Sequence, residues 1–222
     1  MTTAQLRHYF DRAGRIWLRN AVSRDELQEF RALAAADGTP GTRISASHDL
    51  ARLVVRAGFS RQLAGLWPGM RPVRLVSFDK TADTNWALPW HQDRVIAVKG
   101  RAHVAGYSNW SCKSGIWHCA PPISVLQNML FVRVHLDENT ACNGAMDIAL
   151  GSHRAGKVSA DEAAQIAERH QTEITVAQPG DVLVLAMLTL HRSRPSRGSG
   201  ARRVLRIDYA PSPLPAPLEW TL

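Results

Sequence analysis

The residues best suited to chemistry are a histidine and an aspartate two positions apart, in the segment Trp90-His91-Gln92-Asp93. Side chains alternate between the two faces of an extended strand, so His91 and Asp93 are predicted to point the same way. Their neighbours are mostly apolar or aromatic, and a histidine and an aspartate buried there are costly unless they are paired or liganded. An imidazole and a carboxylate on one face can bind a single divalent metal ion.

A second histidine supplies the third predicted metal ligand. His191 lies 100 residues after His91, just beyond the apolar run 182–188, where it is well placed to face a cavity. Two histidines and one carboxylate form the ligand set of non-haem Fe(II) oxygenases, which leaves other positions on the metal open. The other histidines lack a carboxylate at this spacing on an apolar strand. Among them, His103 and His118 lie in a long loop and are candidates for substrate contact.

The composition favours one folded domain covering residues 1–222, since the chain is 45% hydrophobic and all-β domains often reach this size. Three cysteines without a CxxC pair argue against disulfides and favour a reducing, cytoplasmic location. No signal peptide and no apolar run of roughly 20 residues is evident, which argues against a membrane partner. The net charge is +8, but the arginines are scattered and no nucleic-acid-binding motif occurs, which argues against nucleic acid as a partner.

A helical lead-in is predicted over residues 1–70. Ser23, followed three residues later by Glu26, predicts a capping box at the start of one helix. The turn residues of 37–41 are predicted to end that helix. Residues 47–66 are predicted to form a second helical region, because their apolar residues recur at helical spacing.

A strand-rich core is predicted over residues 71–210, where short apolar runs alternate with turn signals. One helix is predicted at 159–169. Helices are otherwise scarce in this region, which disfavours a βαβ fold and favours a jelly roll or sandwich. The predicted strands are Val73–Asp79, Arg94–Val98, Val125–Leu136, Ala145–Leu150, Glu173–Ala177, Val182–Leu188 and Arg203–Ala210.

Several short motifs follow one another in an order that resembles a known family. They are Phe78-Asp79-Lys80, Leu88-Pro89-Trp90-His91-Gln92-Asp93, Asn143-Gly144, Gly151-Ser152-His153, His191 and Arg202-Arg203. The ordered set, which spans about residues 10–210, resembles the phytanoyl-CoA dioxygenase family. The resemblance implies a mainly β fold, a double-stranded β-helix or cupin-like jelly roll with flanking N-terminal α-helices. It also implies an enzyme that uses Fe(II), O2 and 2-oxoglutarate, most often to hydroxylate a small molecule.

The resemblance also implies roles for individual residues. His91, Asp93 and His191 correspond to the iron ligands and hence to the catalytic centre. The family's arginine that pairs with the far carboxylate of 2-oxoglutarate comes eleven residues after the second histidine, which is Arg202. A planar guanidinium binds a carboxylate through two parallel hydrogen bonds, so arginine suits this task. If the register is shifted, the alternatives are Arg203 and Arg206.

Three further residues correspond to cosubstrate contacts in the family. Ser193 matches a hydroxyl that contacts the same carboxylate as the arginine. Lys80 matches a lysine near the cosubstrate, and Gln92 lies between two metal ligands.

Two features distinguish this chain from other members. Leu150 stands where the family often has proline, and Arg133 stands where some members carry an aromatic residue. Arg133 is interpreted as facing the cosubstrate, the substrate or solvent. Asp93 itself indicates hydroxylation, because members that halogenate lack this carboxylate; desaturation and ring formation remain open.

The stretch 99–122 is predicted to be a long loop without regular structure, and such loops are often functional. It contains Tyr107, Trp110 and Trp117 among glycine, serine and proline residues. One interpretation is a lid over the active site. The other is that these aromatic residues only fix the loop to the body of the protein.

The sequence is also compatible with three other classes of function. One is a cupin-like metal-binding protein or non-oxidative metalloenzyme that uses zinc and has no task for Arg202. Another is a jelly-roll binding module without catalysis, although the complete set of ligands argues against it. The last is an oxygenase that acts on protein or nucleic acid, which the basic charge permits.

Overall fold

The computed structural model describes residues 2–34, 41–81, 83–197 and 202–222. Its α-helices are α1 (Thr3–Ala13), α2 (Arg24–Leu33), α3 (Asp49–Arg56), α4 (Gly58–Leu66), α5 (Ile123–Gln127) and α6 (Ala163–Glu168), and a 3-10 helix covers Ser152–Ala155. Its strands are β1 (Arg15–Leu18), β2 (Thr42–Ile44), β3 (Arg71–Lys80), β4 (Leu88–His91), β5 (Ile96–Val98), β6 (Ser108–Lys113), β7 (Ile116–Ala120), β8 (Leu130–His135), β9 (Met146–Ala149), β10 (Thr172–Ile174), β11 (Val182–Ala186), β12 (His191–Ser193) and β13 (Arg202–Ala210). None of the helices in the described ranges is long and apolar enough to cross a membrane.

The N-terminal helices follow their sequence signals closely. The predicted capping box at the start of α2 is confirmed, because Ser23 accepts from the Glu26 amide and Glu26 accepts from the Ser23 amide. The helical region predicted at 47–66 is two helices, since the backbone at Ala57 is extended. Helix α2 ends at Leu33, earlier than the turn residues 37–41 predict, and those residues lie, apart from Gly41, outside the described ranges.

The strands form two main sheets and one small one, with antiparallel pairing throughout. The six-stranded sheet has the order β1-β11-β8-β13-β3-β2, and the four-stranded sheet has the order β10-β9-β12-β4. Side chains from both sheets line a common pocket, so the two sheets face each other there. This arrangement is the predicted double-stranded β-helix, or jelly-roll, core.

Alternation along β13 decides which residues meet the helices and which meet the pocket. Leu205 and Ile207 are fully buried in the apolar cluster that includes Phe30 and Phe59 of the helices. Arg206, which lies between them in the sequence, faces the opposite side and points to the inside of the jelly roll. The strand thus contributes apolar side chains to a helix-covered core on one side and the charged side chains of Arg202, Arg206 and Asp208 to the interior on the other.

The prediction of an irregular loop over 99–122 is wrong. This stretch contains the hairpin β6–β7, which joins β5 in a three-stranded antiparallel sheet. Tyr107, Trp110 and Trp117 are partly buried and pack against the apolar core. The aromatic residues therefore fix this segment to the body. The alternation of side chains along β6 and β7 is short, and the pairing of the two strands contains a register shift. The hairpin therefore gives no clear strand signal in the sequence.

The strand predicted over Val125–Leu136 is also only partly correct. Its first residues belong to α5, which follows Pro122, and the strand β8 begins at Leu130. A short apolar run has no period that separates a buried helical turn from a buried strand, which explains the error. The helix predicted at 159–169 is shorter than expected and covers only Ala163–Glu168.

Candidate metal centre

The two predicted histidine ligands meet because their strands pair. His91 ends β4, His191 opens β12, and the two are direct partners in the antiparallel register. Their ring centroids are 4.3 Å apart. Asp93 lies two residues beyond the end of β4, and its Oδ2 is 3.2 Å from Nε2 of His191. One ligand atom from each of the three residues lies within 4.8 Å of the others, so the triad is positioned to bind a metal ion.

The hydrogen bonds of the two histidines set their tautomers. Nδ1 of His91 is 2.7 Å from the carbonyl oxygen of Pro89, and Nδ1 of His191 is 2.9 Å from that of Thr189. A carbonyl oxygen only accepts, so each Nδ1 carries the hydrogen and each Nε2 keeps its lone pair for a metal. This donor set, two imidazoles and one carboxylate, fits Fe(II).

Arg206 controls the charge of the carboxylate ligand. Its guanidinium donates to Asp93 Oδ2 and, through Nε, to Asp208 Oδ1 at 2.8 Å. Arg74 pairs with the other oxygen of Asp208 at 3.3 Å. Desolvation raises the pKa of Asp93, but Arg206 and then His191 outweigh it and hold this pKa well below its usual value. The carboxylate is therefore ionised and ready to bind a cation.

His91 is held in its neutral form. Desolvation lowers the pKa of His91 most, and the neighbouring His191 lowers it further, while Asp93 and the Pro89 carbonyl act in the opposite direction. Metal binding requires a neutral imidazole, so this shift favours the liganding state at neutral pH.

The triad opens into a pocket of about 100 Å³ that also contains the predicted cosubstrate arginine. Arg202 is 2% exposed, donates from Nη1 to Asn139 Oδ1 at 3.0 Å, and has no hydrogen-bond partner for Nε among the described residues. Burial lowers the pKa of Arg202 to about 10, so it stays charged at neutral pH. Residues from both sheets and from the β3–β4 connection line the pocket: Phe78, Trp86, Leu88, His91, Asp93, Arg133, Met146, His191, Ser193, Arg202 and Arg206.

Lys80 supports the pocket from behind. Its Nζ is buried and donates to Ser193 Oγ at 3.2 Å and to the carbonyl oxygens of Trp86 and Arg194 at 2.8 and 2.5 Å. Burial, helped by the positive charges of Arg202 and Arg133, lowers the pKa of Lys80 to about 8. Lys80 thus holds the segment that carries Ser193, and its three donors are occupied by the protein.

Gln92 is not brought to the pocket. Its side-chain amide donates to the carbonyl oxygens of Gly156 and Leu188, both at 2.8 Å, and accepts from the Val158 amide at 2.9 Å. Strand alternation explains this outcome, because the residue between His91 and Asp93 faces away from them. Gln92 fixes the liganding segment to its neighbours.

The sequence did not predict the observed contacts of two residues in the site, Arg206 and Asn139. Arg206 was an alternative partner for 2-oxoglutarate, but the structure places it against Asp93. The spacing of Arg206 and Asp208 on one strand face was a signal for their ion pair. Asn139, which orients Arg202, lies in a turn-rich segment and gave no signal.

Comparison with known proteins identifies the family. The sequence model of the family Phytanoyl-CoA dioxygenase (PhyH) matches residues 10–204. The chain belongs to this family and is an oxygenase that depends on Fe(II) and 2-oxoglutarate. No curated protein matches the chain as a relative.

Several solved structures share the fold. AviO1 from Streptomyces viridochromogenes Tue57 is 20% identical, with a TM-score of 0.68 over 97% of this chain and 98% of that one. EctD from S. alaskensis, solved with 2-oxoglutarate and 5-hydroxyectoine, is 23% identical, with a TM-score of 0.67 over 93% and 75%. The carbocyclase SnoK from nogalamycin biosynthesis is 15% identical, with a TM-score of 0.65 over 94% and 84%. At these identities the likeness concerns the fold.

Proposed function

We propose that this chain, acting as one domain, hydroxylates a C–H bond of a small molecule and releases succinate and CO2 from 2-oxoglutarate. The observation that carries the proposal is the joint presence, in one pocket, of the His91–Asp93–His191 triad and the buried arginine Arg202. A zinc site without cosubstrate has no use for an arginine that is 2% exposed and keeps a donor free.

The His91–Asp93–His191 triad would hold the metal ion. His91 and His191 contribute their Nε2 atoms, because each Nδ1 is engaged by a backbone carbonyl. Asp93 contributes one oxygen and is kept ionised by Arg206. Fe(II) with 2-oxoglutarate and O2 supplies the oxidative decarboxylation and the oxidant for the C–H bond.

Arg202 and Ser193 are proposed to bind the carboxylate of 2-oxoglutarate that is far from the metal. Arg202 has its Nε free, and Asn139 fixes the orientation of its guanidinium. Lys80 holds the hydroxyl of Ser193 in the same pocket. Phe78 and Trp86, whose rings are 6.0 Å apart, supply apolar walls that exclude water.

The complete triad determines the expected product. Because Asp93 occupies the position that halogenating relatives leave to chloride, a hydroxylated product is expected. Two structural neighbours, SnoK and SnoN from nogalamycin biosynthesis, are a carbocyclase and an epimerase, so cyclised or epimerised products are the outcomes to compare. The three cysteines are free, which agrees with the proposed cytoplasmic location.

The test is turnover of 2-oxoglutarate by the purified chain reconstituted with Fe(II) in air. Succinate is expected above the rate without enzyme, and a library of small molecules is then screened for compounds that accelerate it. Asp93→Asn, which removes the carboxylate of the triad, is expected to form no succinate, and its matched control is Asp147→Asn, which changes a carboxylate paired with Arg192 outside the pocket. Fe(II)-loaded protein that forms no succinate with any compound, while Zn(II)-loaded protein hydrolyses one of them, would overturn the oxygenase proposal.

A further inference from the structure

A third arginine faces the pocket and has no partner there. Arg133 lies in the middle of β8, directly opposite Arg206 on β13, and is 8% exposed. Among the described residues it forms no hydrogen bond or ion pair, and its Nε is buried without an acceptor. Its nearest aromatic contact is the ring of Phe78, whose centroid is 6.0 Å from the guanidinium carbon.

The other two arginines of the pocket are accounted for. Arg206 is held between Asp93 and Asp208, and Arg202 is oriented by Asn139. Burial lowers the pKa of Arg133 most, Arg202 and Arg206 lower it further, and Asp93 raises it without forming an ion pair with it, so that the pKa is about 9. Arg133 is still charged at neutral pH. A buried charge without a partner is costly, so it is kept in this position only if something compensates.

The balance of charge indicates what compensates it. Three arginines line the pocket, and they face two carboxylates, Asp93 in the pocket and Asp208 behind Arg206. A bound divalent metal adds two positive charges, and 2-oxoglutarate brings two negative ones. The loaded pocket therefore still carries an excess of positive charge, which a further anion can neutralise.

We propose that Arg133 binds a carboxylate of the substrate, so that the substrates of this oxygenase are small carboxylic acids. Arg133 pairs directly with Arg206, which contacts the metal ligand Asp93, whereas Arg202 lies four residues before Arg206 on β13. A carboxylate on Arg133 therefore lies at the level of the metal and away from the carboxylate assigned to Arg202. Arginine forms two parallel hydrogen bonds with a carboxylate, which would also fix the orientation of the substrate.

The inference rests on the proposed function, and calorimetry on the Ni(II)-loaded protein separates the two. The first titration is 2-oxoglutarate, and the second, on the protein saturated with it, uses acetate, benzoate and octanoate beside their amides. At least one carboxylate is expected to bind where its amide does not. Arg133→Met is expected to weaken that binding at least tenfold and to leave the affinity for 2-oxoglutarate within threefold.

Two further variants control for folding and for loss of charge. Arg203→Met removes an arginine that faces the other side of β13 and pairs with Asp137, and it is expected to change neither titration. Arg133→Lys is expected to retain part of the carboxylate binding. Thermal unfolding of Arg133→Met is expected at or above the wild-type temperature, because an unpaired buried charge is removed.

Three results overturn the role of Arg133. One is that no carboxylate of the panel binds better than its amide. Another is that Arg133→Met binds the carboxylate as the wild type does. The third is that Arg133→Met weakens the binding of 2-oxoglutarate tenfold, which would mean that Arg133 binds the cosubstrate. A wild type that does not bind 2-oxoglutarate at all refutes the proposed function instead.

Discussion

Arg206 donates to the same oxygen of Asp93 that lies 3.2 Å from Nε2 of His191. This contact joins the metal ligand to a buried chain of charges that continues through Asp208 to Arg74. This row of charged side chains crosses β13 and β3 of the six-stranded sheet. The triad itself is carried by β4 and β12 of the four-stranded sheet and by the residues that follow β4, so the six-stranded sheet supports it from the other side. The position of Asp93 therefore depends on both sheets.

Replacing Arg206 is expected to weaken metal binding. In Arg206→Met, Asp93 loses its cationic partner, desolvation raises its pKa, and its orientation is no longer fixed. Outer partners of metal ligands are typically worth 10- to 100-fold in affinity, and a loss of roughly that size is expected for Co(II). The acid limb of the binding curve should also move to higher pH. Arg206→Lys, which keeps the charge, should lose less; equal losses in both variants would argue against an electrostatic role.

Metal affinity is expected to stay constant between pH 8 and 7. The lowered pKa of His91 means that protons compete with the metal at this residue only below its ordinary value of 6.5. The pKa of Asp93 is also lowered, so this carboxylate remains ionised through the same range. Affinity should therefore fall only on the acid side, as protons displace the metal. Co(II) titrations at half-unit steps of pH measure this, and a decline already between pH 8 and 7 would disagree with the environment described for His91.

The roles of Arg202 and Arg203, neighbours on β13, are expected to differ sharply. Loss of hydrogen bonds between charged groups costs about 1.5–3 kcal/mol of binding free energy. Arg202→Met should therefore weaken the binding of 2-oxoglutarate roughly 10- to 100-fold. Arg203→Met removes the same charge from the opposite face, where it pairs with Asp137, and should leave the affinity unchanged. Calorimetry with the Ni(II)-loaded protein compares the two. Similar losses in both variants would mean that net charge, and not a specific contact, attracts the cosubstrate.

Gly144 is expected to be required for both stability and cosubstrate binding. Its φ is +80°, and a Cβ there would lie 2.8 Å from the Arg194 carbonyl oxygen and 3.0 Å from Lys80 Nζ. Gly144→Ala should cost about 1–3 kcal/mol of unfolding free energy and displace the segment that carries Ser193. Gly100→Ala is the control, since nothing lies within 4 Å of its Cβ position. Urea unfolding of the two variants tests this, and equal stability would show that the turn at Gly144 adapts.

The metal triad could be predicted from sequence because its residue types and spacing are local signals. His91 and Asp93 are close in the chain, and His191 stands beyond an apolar strand. Their meeting, however, depends on the pairing of β4 with β12, which no local pattern specifies. The capping box of α2 was equally local and is confirmed.

What the sequence did not reveal depends on contacts between distant segments. Asn139 reaches Arg202 only because a turn packs beside the start of β13. The hairpin at 108–120 has short, irregular pairing and so resembled a loop. Strand alternation predicts that Arg202 and Arg206 share one face, but only the structure shows that Arg206 contacts Asp93 and that Arg202 keeps its Nε without a partner.

The most direct test of the account is an anaerobic titration of the Fe(II)-loaded protein with 2-oxoglutarate, followed by visible absorption. A weak metal-to-ligand charge-transfer band is expected in the wild type, because the cosubstrate chelates the iron through its 2-oxo acid end. The band should be absent in His91→Ala and should require more 2-oxoglutarate in Arg202→Met, with Arg203→Met equal to the wild type. Iron that binds to the triad without any band on addition of 2-oxoglutarate would contradict the central claim.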